Sequence, residues 1–117
     1  MTQITTDYDF GDIVLVPFPF TNQTTTKKRL AIVVSSSVYN RERADLVLMA
    51  VTGQIKSSTY FGDVTVIQWK QAGLIKPSVM KPIFTTVEKS LVLKKLGHLG
   101  PEDRATLQET LQAVFSE

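Results

Sequence analysis

The sequence predicts a mainly β protein, with five to seven short strands in a small, strongly bent antiparallel sheet or barrel that one C-terminal helix closes. Runs of β-branched residues with a period of two dominate roughly the first ninety positions. The apolar period becomes helical only near the end of the chain. The 117 residues suffice for a single domain over 1–117, with 43% hydrophobic and 21% charged residues as in ordinary globular proteins. We expect a core over about residues 10–115 and a flexible N-terminus over 1–9.

Five segments have strand character, and turn residues or prolines separate them. The segment Ile13–Val16 runs into Pro17 and Pro19, which donate no backbone hydrogen bond and therefore indicate a sheet edge or an exit from the sheet. Thr21–Lys28 is polar throughout and predicts a mobile loop. The remaining predicted strands are Leu30–Ser35, Leu46–Val51, Val64–Trp69 and Ser78–Thr86, the last interrupted by Pro82.

The predicted helix begins at Gly100-Pro101-Glu102-Asp103, where proline suits the first helical position and the acids favour the positive end of the helix dipole. Leu107, Leu111 and Val114 then recur at helical spacing. They form an apolar stripe that can pack on the sheet.

Composition excludes several chemistries. The chain has no cysteine and one histidine, so disulfides, cysteine zinc sites, thiolate nucleophiles and multi-histidine metal clusters are absent. We expect no metal and no cofactor. The longest apolar run, Ile13 to Phe20, is too short to cross a bilayer, and the N-terminus does not resemble a signal peptide. We therefore expect a cytoplasmic protein with no membrane partner.

Charge is distributed unevenly along the chain. The net charge is +2, but residues 13–101 hold twelve lysines and arginines against four acids, and both ends are acidic. An excess of eight positive charges in the body favours a polyanionic partner, although lysines that merely keep a small β domain in solution explain it about as well.

Two side chains stand where a phosphate could be held. Arg29 joins the polar loop to a buried strand, and its guanidinium has the donor geometry for phosphoryl oxygens. Thr52 ends another strand directly before Gly53, so a hydroxyl could donate where the backbone allows close approach. A solvated basic triplet and an ordinary strand threonine are the alternatives. Trp69 and Tyr60-Phe61 could stack on bases, although core or dimer packing is favoured, and His98 is interpreted as a surface or capping residue.

The order of these segments resembles that of the MazF/PemK-like toxins over about residues 10–115. The resemblance lies in Gly11–Phe20 with its Pro-Phe-Pro-Phe run, Lys28–Ser35, Val51–Gln54, Gly73–Ser78, Glu88–Leu91 and Lys95–Leu99. It implies an SH3-like β-barrel toxin of a type II toxin–antitoxin system that acts as a metal-independent, sequence-selective endoribonuclease on single-stranded RNA.

The resemblance also implies roles for individual residues. Arg29 would stabilise the pentavalent phosphorane and protonate the leaving 5′ oxygen, and Thr52 would donate to the same phosphate, with the 2′-hydroxyl of the RNA as nucleophile. The expected RNA-binding residues are Asn22, Gln23, Lys27, Lys28, Gln54, Lys56 and Lys81. The implied partners are a homodimeric second copy and an antitoxin with an acidic, disordered tail.

The sequence departs from the family pattern at two places. Leu30 stands where proline usually follows the arginine, and Met80-Lys81-Pro82 lacks the acidic residue that many members carry there. Two alternative functions therefore stay open. One is a catalytically silent barrel that binds RNA or an antitoxin, and the other is a toxin of the same fold that acts on DNA gyrase.

Overall fold

All the strands that the structure describes join one antiparallel sheet. The computed structural model describes residues 7–18, 27–53 and 60–117. In these residues the strand order is β4–β5–β3–β2–β1–β6. The strands are β1 Asp12–Phe18, β2 Lys27–Val33, β3 Asp45–Thr52, β4 Val64–Val66, β5 Ser78–Glu88 and β6 Lys94–His98. The mainly β prediction is confirmed.

Two α-helices accompany the sheet in the described residues. Helix α2, Pro101–Phe115, begins as the sequence predicts, with Gly100 as N-cap and acidic residues in its first turn. Helix α1, Ser37–Glu42, was not predicted, although Ser36 caps it by accepting a hydrogen bond from the Tyr39 backbone at 3.1 Å. A 3-10 turn, Lys89–Leu91, leads into β6, which was also not predicted.

Alternate residues of the strands supply two separate hydrophobic cores. One side of the sheet, here called the helix face, carries Ile13, Ile32 and Met49, which pack with Leu107 of α2. The other side, the inner face, carries Val14, Ala31 and Leu48 in a core built without a helix. These inner-face residues are fully buried, and among the described residues no helix supplies a side chain to their core, so the curled sheet packs this face largely against itself. The strongly bent sheet is therefore confirmed.

Two prolines, Pro17 and Pro82, lie within strands, at places where the ladder does not need their missing donor. In β1, the backbone carbonyl of Leu15 accepts a hydrogen bond from the backbone N–H of Leu93, on the β6 side of the strand. The backbone nitrogen of Pro17 faces the same side, but it lies beyond Leu15↔Lys94, where the pairing with β6 ends, so its missing donor is not needed there. In β5, the register shifts between Met49↔Phe84 and Ala50↔Lys81, which leaves Pro82 in an irregularity. Of the two predicted alternatives, a sheet edge or an exit, the structure shows an edge at Pro17, which pairs with Lys28 on one side and lies beyond the last pair with β6 on the other. Ser78–Glu88 is one strand.

The predicted strand Val64–Trp69 is shorter in the structure and ends at Val66. The reason is the buried carboxylate of Asp103, which accepts hydrogen bonds from the backbone N–H of Ile67 at 3.1 Å and of Gln68 at 2.9 Å. These donors serve a turn that docks on the start of α2, so they cannot extend a ladder. The interaction fastens the helix to the sheet edge.

We predict that Asp103→Ala lowers the free energy of unfolding by about 2–3 kcal/mol, because it leaves two inward-facing backbone donors without a partner. Glu102→Ala is the matched control, since Glu102 is a neighbouring but exposed acid of the same helical turn. It should cost less than about 1 kcal/mol. Urea unfolding followed by circular dichroism measures both, and equal losses would show that the hydrogen bonds to residues 67 and 68 carry no special weight.

Candidate functional site

The ends of β2 and β3 bring Arg29 and Thr52 towards each other. The two strands pair through Ala31↔Ala50, Ile32↔Met49 and Val33↔Leu48. The ladder between β2 and β3 ends at Ala31↔Ala50, and its register, carried two residues further, points Arg29 and Thr52 at the same end of the two strands. The sequence analysis proposed the two residues separately, and the register explains why they belong together.

Both side chains belong to the inner face. Arg29 alternates with Ala31, and Thr52 alternates with Ala50, and both alanines lie in the inner-face core. Arg29 also pairs with Val16 of β1, and Thr52 with Val79 of β5. Arg29 is exposed and Thr52 is half-buried, so the rigid inner-face core ends in a polar rim open to solvent.

The two lysines that precede Arg29 lie on opposite sides of β2. Lys27 shares the inner-face side of β2 with Arg29, whereas Lys28 alternates to the other side. Both are exposed, and both pair across to the end of β1, at Phe18 and Pro17. The prediction of a loop over Thr21–Lys28 is corrected at these two residues, because cross-strand pairing draws them into β2. Residues 21–26 lie outside the described residues.

A further lysine, which the sequence analysis did not single out, lies beside the end of β3, on the side of the sheet opposite to the Thr52 side chain. A Cβ atom added to Gly53 would meet Lys76, with Nζ at 3.0 Å, Cδ at 3.1 Å and Cε closer still. The lysine stem therefore crosses the backbone immediately after Thr52. A signal existed in the sequence, since Gly53 was noted for close approach, but only the fold identifies what approaches.

Lys81 is held by a carboxylate. Its ammonium lies 2.7 Å from Oδ2 of Asp63, whose side chain is only 3% exposed. The same oxygen accepts a hydrogen bond from the Tyr60 backbone at 2.9 Å. Burial raises the pKa of Asp63, but the Lys81 hydrogen bond, the Tyr60 hydrogen bond and the Lys81 charge together lower the pKa below its ordinary value. Lys81 is thus a neutralised cation two residues along from Val79, the partner of Thr52.

The other residues that the sequence analysis proposed as binding or stacking residues differ in whether the structure describes them and in how exposed they are. Asn22, Gln23, Gln54 and Lys56 lie outside the described residues. Trp69 packs against the helix-face core, as favoured, whereas Tyr60 and Phe61 are 72% and 80% exposed on the turn closed by Asp63. His98 is an exposed residue of β6.

The described residues show neither a metal-binding cluster nor a membrane-spanning helix. Residues 7–18, 27–53 and 60–117 contain no group of three or more histidine, aspartate or glutamate side chains placed to hold a metal ion. Within the same residues, no helix combines the length and apolar character needed to cross a membrane.

Solved structures with this fold are toxins. MazF from Deinococcus radiodurans superposes with a TM-score of 0.75 at 20% identity, covering 97% of this chain and 100% of that one. A mycobacterial endoribonuclease in complex with its cognate antitoxin gives 0.73 at 18% identity, covering 91% and 92%. Mycobacterium tuberculosis toxin MazF-mt6 gives 0.71 at 17% identity, covering 89% and 95%. At these identities the likeness shows the fold.

The family follows from the sequence match. The model of the PemK-like, MazF-like toxins of type II toxin–antitoxin systems matches residues 9–115. The chain belongs to this family, and the resemblance stated from its motifs is confirmed. No curated protein matches the chain closely enough in sequence to serve as a relative.

The ion pair between Lys81 and Asp63 predicts a particular dependence of stability on pH. A carboxyl group whose folded pKa is lowered stabilises the fold above its unfolded pKa, about 3.9, and loses this contribution as the pH falls through the folded value. Lys81→Met should destabilise the protein by about 1.5 kcal/mol at pH 7. The difference from wild type should begin to shrink as the pH falls below about 4, and it should be lost once the pH passes the lowered folded pKa, where Asp63 is neutral in both proteins.

Urea unfolding between pH 3 and pH 7 measures this difference. Lys94→Met is the control, since Lys94 is an exposed lysine of β6. A stability difference between wild type and Lys81→Met that stays constant over the whole pH range would contradict the assignment of the pair.

Proposed function

We propose that this toxin is a metal-independent endoribonuclease that cleaves single-stranded RNA at selected sequences. The observation that carries the proposal is the placement of Arg29 and Thr52 on one face, at the ends of adjacent strands, above a rigid core. A guanidinium and a hydroxyl in that arrangement can both donate to one phosphodiester. Membership of the toxin family and the endoribonuclease identity of mycobacterial neighbours support it.

The reaction needs no nucleophile from the protein. The 2′-hydroxyl of the RNA gives its proton to solvent as its oxygen attacks the adjacent phosphorus, the bond from phosphorus to the 5′ oxygen breaks, and that oxygen takes up a proton. The products are a 2′,3′-cyclic phosphate and a 5′-hydroxyl. Negative charge grows on the phosphoryl oxygens in the transition state. Arg29 supplies a permanent positive charge there and donates towards the leaving oxygen, while Thr52 adds a neutral donor. DNA lacks the 2′-hydroxyl and is not cut.

The inner-face core explains how the exposed Arg29 and the half-buried Thr52 can be positioned. Val16, Ala31 and Ala50 are buried beneath the rim, so the backbone at Arg29 and Thr52 is fixed by packing rather than by contacts with RNA. Electrostatic stabilisation is efficient when the donors are oriented before the reaction begins. Lys27, Lys28 and Lys81 remain proposed RNA contacts, together with Asn22, Gln23, Gln54 and Lys56. Because Lys81 is paired with Asp63, only part of its positive charge is available to attract RNA.

We predict that Arg29→Ala reduces RNA cleavage by more than about 10³-fold, as when a transition-state arginine is removed from other phosphoryl-transfer sites. Thr52→Ala should cost at most about 10²–10³-fold, because it removes one neutral donor. Cleavage of a long single-stranded RNA in the presence of EDTA measures both. Arg41→Ala, at an exposed arginine of α1, is the matched control and should retain wild-type activity.

Two results would refute the mechanism: full activity of Arg29→Ala, or loss of wild-type activity on adding EDTA. A protein that binds RNA without cutting it would instead match the silent barrel. Inhibition of DNA gyrase without RNA cleavage would identify the gyrase-directed alternative.

The partners follow from the same surface. We propose that an antitoxin neutralises the toxin with an acidic, initially disordered tail that folds along the basic rim and competes with RNA phosphates. Solved neighbours include MazE–MazF complexes from Deinococcus radiodurans.

We also propose a C2 homodimer in the cytoplasm. An apolar pocket of about 380 Å³ beside the exposed ring of Phe115 offers surface that a second copy could cover.

We predict that the association rate of the antitoxin falls steeply as salt rises, because long-range attraction to the basic rim is screened. The dissociation rate should change much less, since buried apolar contacts set it. Surface plasmon resonance at several ionic strengths separates the two rates. Removing Lys27 and Lys28 should slow association, while removing Lys70, an exposed lysine beside Trp69 that is not among the proposed RNA contacts, should not. An association rate independent of salt, or simultaneous binding of RNA and antitoxin, would place the antitoxin elsewhere.

A further inference from the structure

Strand β5 has an open edge, which consists of residues 83–88. In the described part of the chain, β4 pairs with β5 only over residues 78–80, and β3 occupies the other side of β5. Sheet edges are commonly protected by proline, by lysine or by a very short strand. Strand β4 has three residues, and β6 carries two lysines. The open edge has none of these protections and is rich in β-branched and aromatic residues, so it can accept a further strand.

The backbone of Thr86 faces outward at this open edge. Opposite Thr86 on β3, the N–H of Val47 donates to the Ser35 hydroxyl at 3.1 Å, and its C=O accepts from the Val34 N–H at 2.9 Å. Both bonds lie on the β2 side of β3. Directly opposed residues of an antiparallel ladder exchange both backbone hydrogen bonds or neither. Thr86 therefore forms no backbone bond with β3, and by alternation neither does Phe84.

Exposed apolar side chains lie beside the open edge. The ring of Phe115, near the end of α2, has its centroid 5.2 Å from that of Phe84. The turn before β4 reaches the same place, because a Cβ atom added to Gly62 would meet Pro82 at 3.0 Å and Val114 at 3.7 Å. We call the surface formed by four exposed side chains here the aromatic face: Tyr60, Phe61, Ile83 and Phe115.

The aromatic face has the area needed for half of a dimer interface. A large apolar side chain presents about 150–250 Å², so exposures between 46% and 80% leave roughly 500 Å² open on the four residues. An apolar patch of this size on a monomer is often functional. Two copies would together bury roughly 1,000 Å², the size at which specific interfaces begin, and pairing of the two open edges adds to it.

The charges around the aromatic face disfavour RNA and an acidic tail as its occupant. Helix α2 ends here with the negative end of its dipole, and its last turn carries no basic residue. Glu88 adds a negative charge to the open edge, and Lys81 is neutralised by Asp63. A second copy fits better, because an open edge can pair antiparallel with its own equivalent about a two-fold axis.

We propose that a second copy of this chain covers the aromatic face and pairs its β5 antiparallel with β5 along the open edge, so that the two sheets become one. The proposal rests on the proposed homodimer and names the surface that forms it. The rim with Arg29 and Thr52 stays outside this interface, because Thr52 pairs with Val79 near the opposite end of β5.

Two variants remove different parts of the interface. Thr86→Pro blocks strand addition but keeps the bonds to β3, because the Thr86 N–H faces outward. Phe115→Glu places a charge in the aromatic face at a mostly exposed position. Each should raise the dimer dissociation constant at least about thirtyfold, as for the loss of a central interface residue. Sedimentation equilibrium measures the constant. Ile75→Glu, at an exposed isoleucine before β5, is the control and should match wild type.

Amide hydrogen exchange supplies a readout that a general loss of stability would not give. The outward amides of Phe84 and Thr86 should exchange slowly in the dimer and at least about tenfold faster in the Phe115→Glu monomer. The amide of Thr85 faces β3 and should be protected in both proteins.

The outcomes separate this interface from the proposed homodimer. A wild type that stays monomeric would overturn both. A dimer that neither variant weakens, with Phe84 and Thr86 amides unprotected, would overturn the interface and leave the homodimer standing. If Thr86→Pro lowers the thermal midpoint strongly, Phe115→Glu and the exchange of the Thr86 amide decide the question. Protection of these amides in a monomer only on adding single-stranded 2′-O-methyl RNA would assign the open edge to nucleic acid instead.

Discussion

The pairing of β3 with its two neighbours is the constraint on which the rest of the structure depends. Ala31↔Ala50 on one side and Thr52↔Val79 on the other fix which side chains share the inner face. A shift of one residue would turn the residues of β3 to opposite faces and exchange the two cores. The same register carries Arg29 and Thr52 to one edge, so stability and the candidate chemistry have a common origin.

Buried carboxylates fasten segments that strand pairing alone does not join to the sheet. Asp103 joins the turn after β4 to helix α2, Asp63 ties Lys81 to the turn before β4, and Asp12 lies 3.1 Å from Lys95 of β6. Each carboxylate accepts hydrogen bonds from, or forms an ion pair with, a segment that is distant in sequence. These contacts compensate for the small hydrophobic core that a domain of this size can bury.

The candidate site was predictable in part. Arg29 and Thr52 could be selected because each residue type stands at a strand end, where a side chain is fixed at its base and open at its tip. Their proximity could not be read from sequence, because it depends on the pairing of β2 with β3. The contact of Lys76 with Gly53 could not be read from sequence for the same reason, since it joins residues that are distant along the chain. Lys81 was assigned as an RNA contact without sight of Asp63, its ion-pair partner.

The sequence by itself determined the fold class, the strands β1, β2, β3 and β5 to within a few residues, and helix α2, because periodicity and capping are local properties of the chain. Only the tertiary structure decided what depends on distant partners. Strand β4 stops at Val66 because Asp103 takes the next two backbone donors. Strand β6 exists because β1 offers it an edge, and Pro82 is accommodated by a shift in register against β3. Hydrogen bonds between segments far apart in sequence leave no periodic trace in the chain.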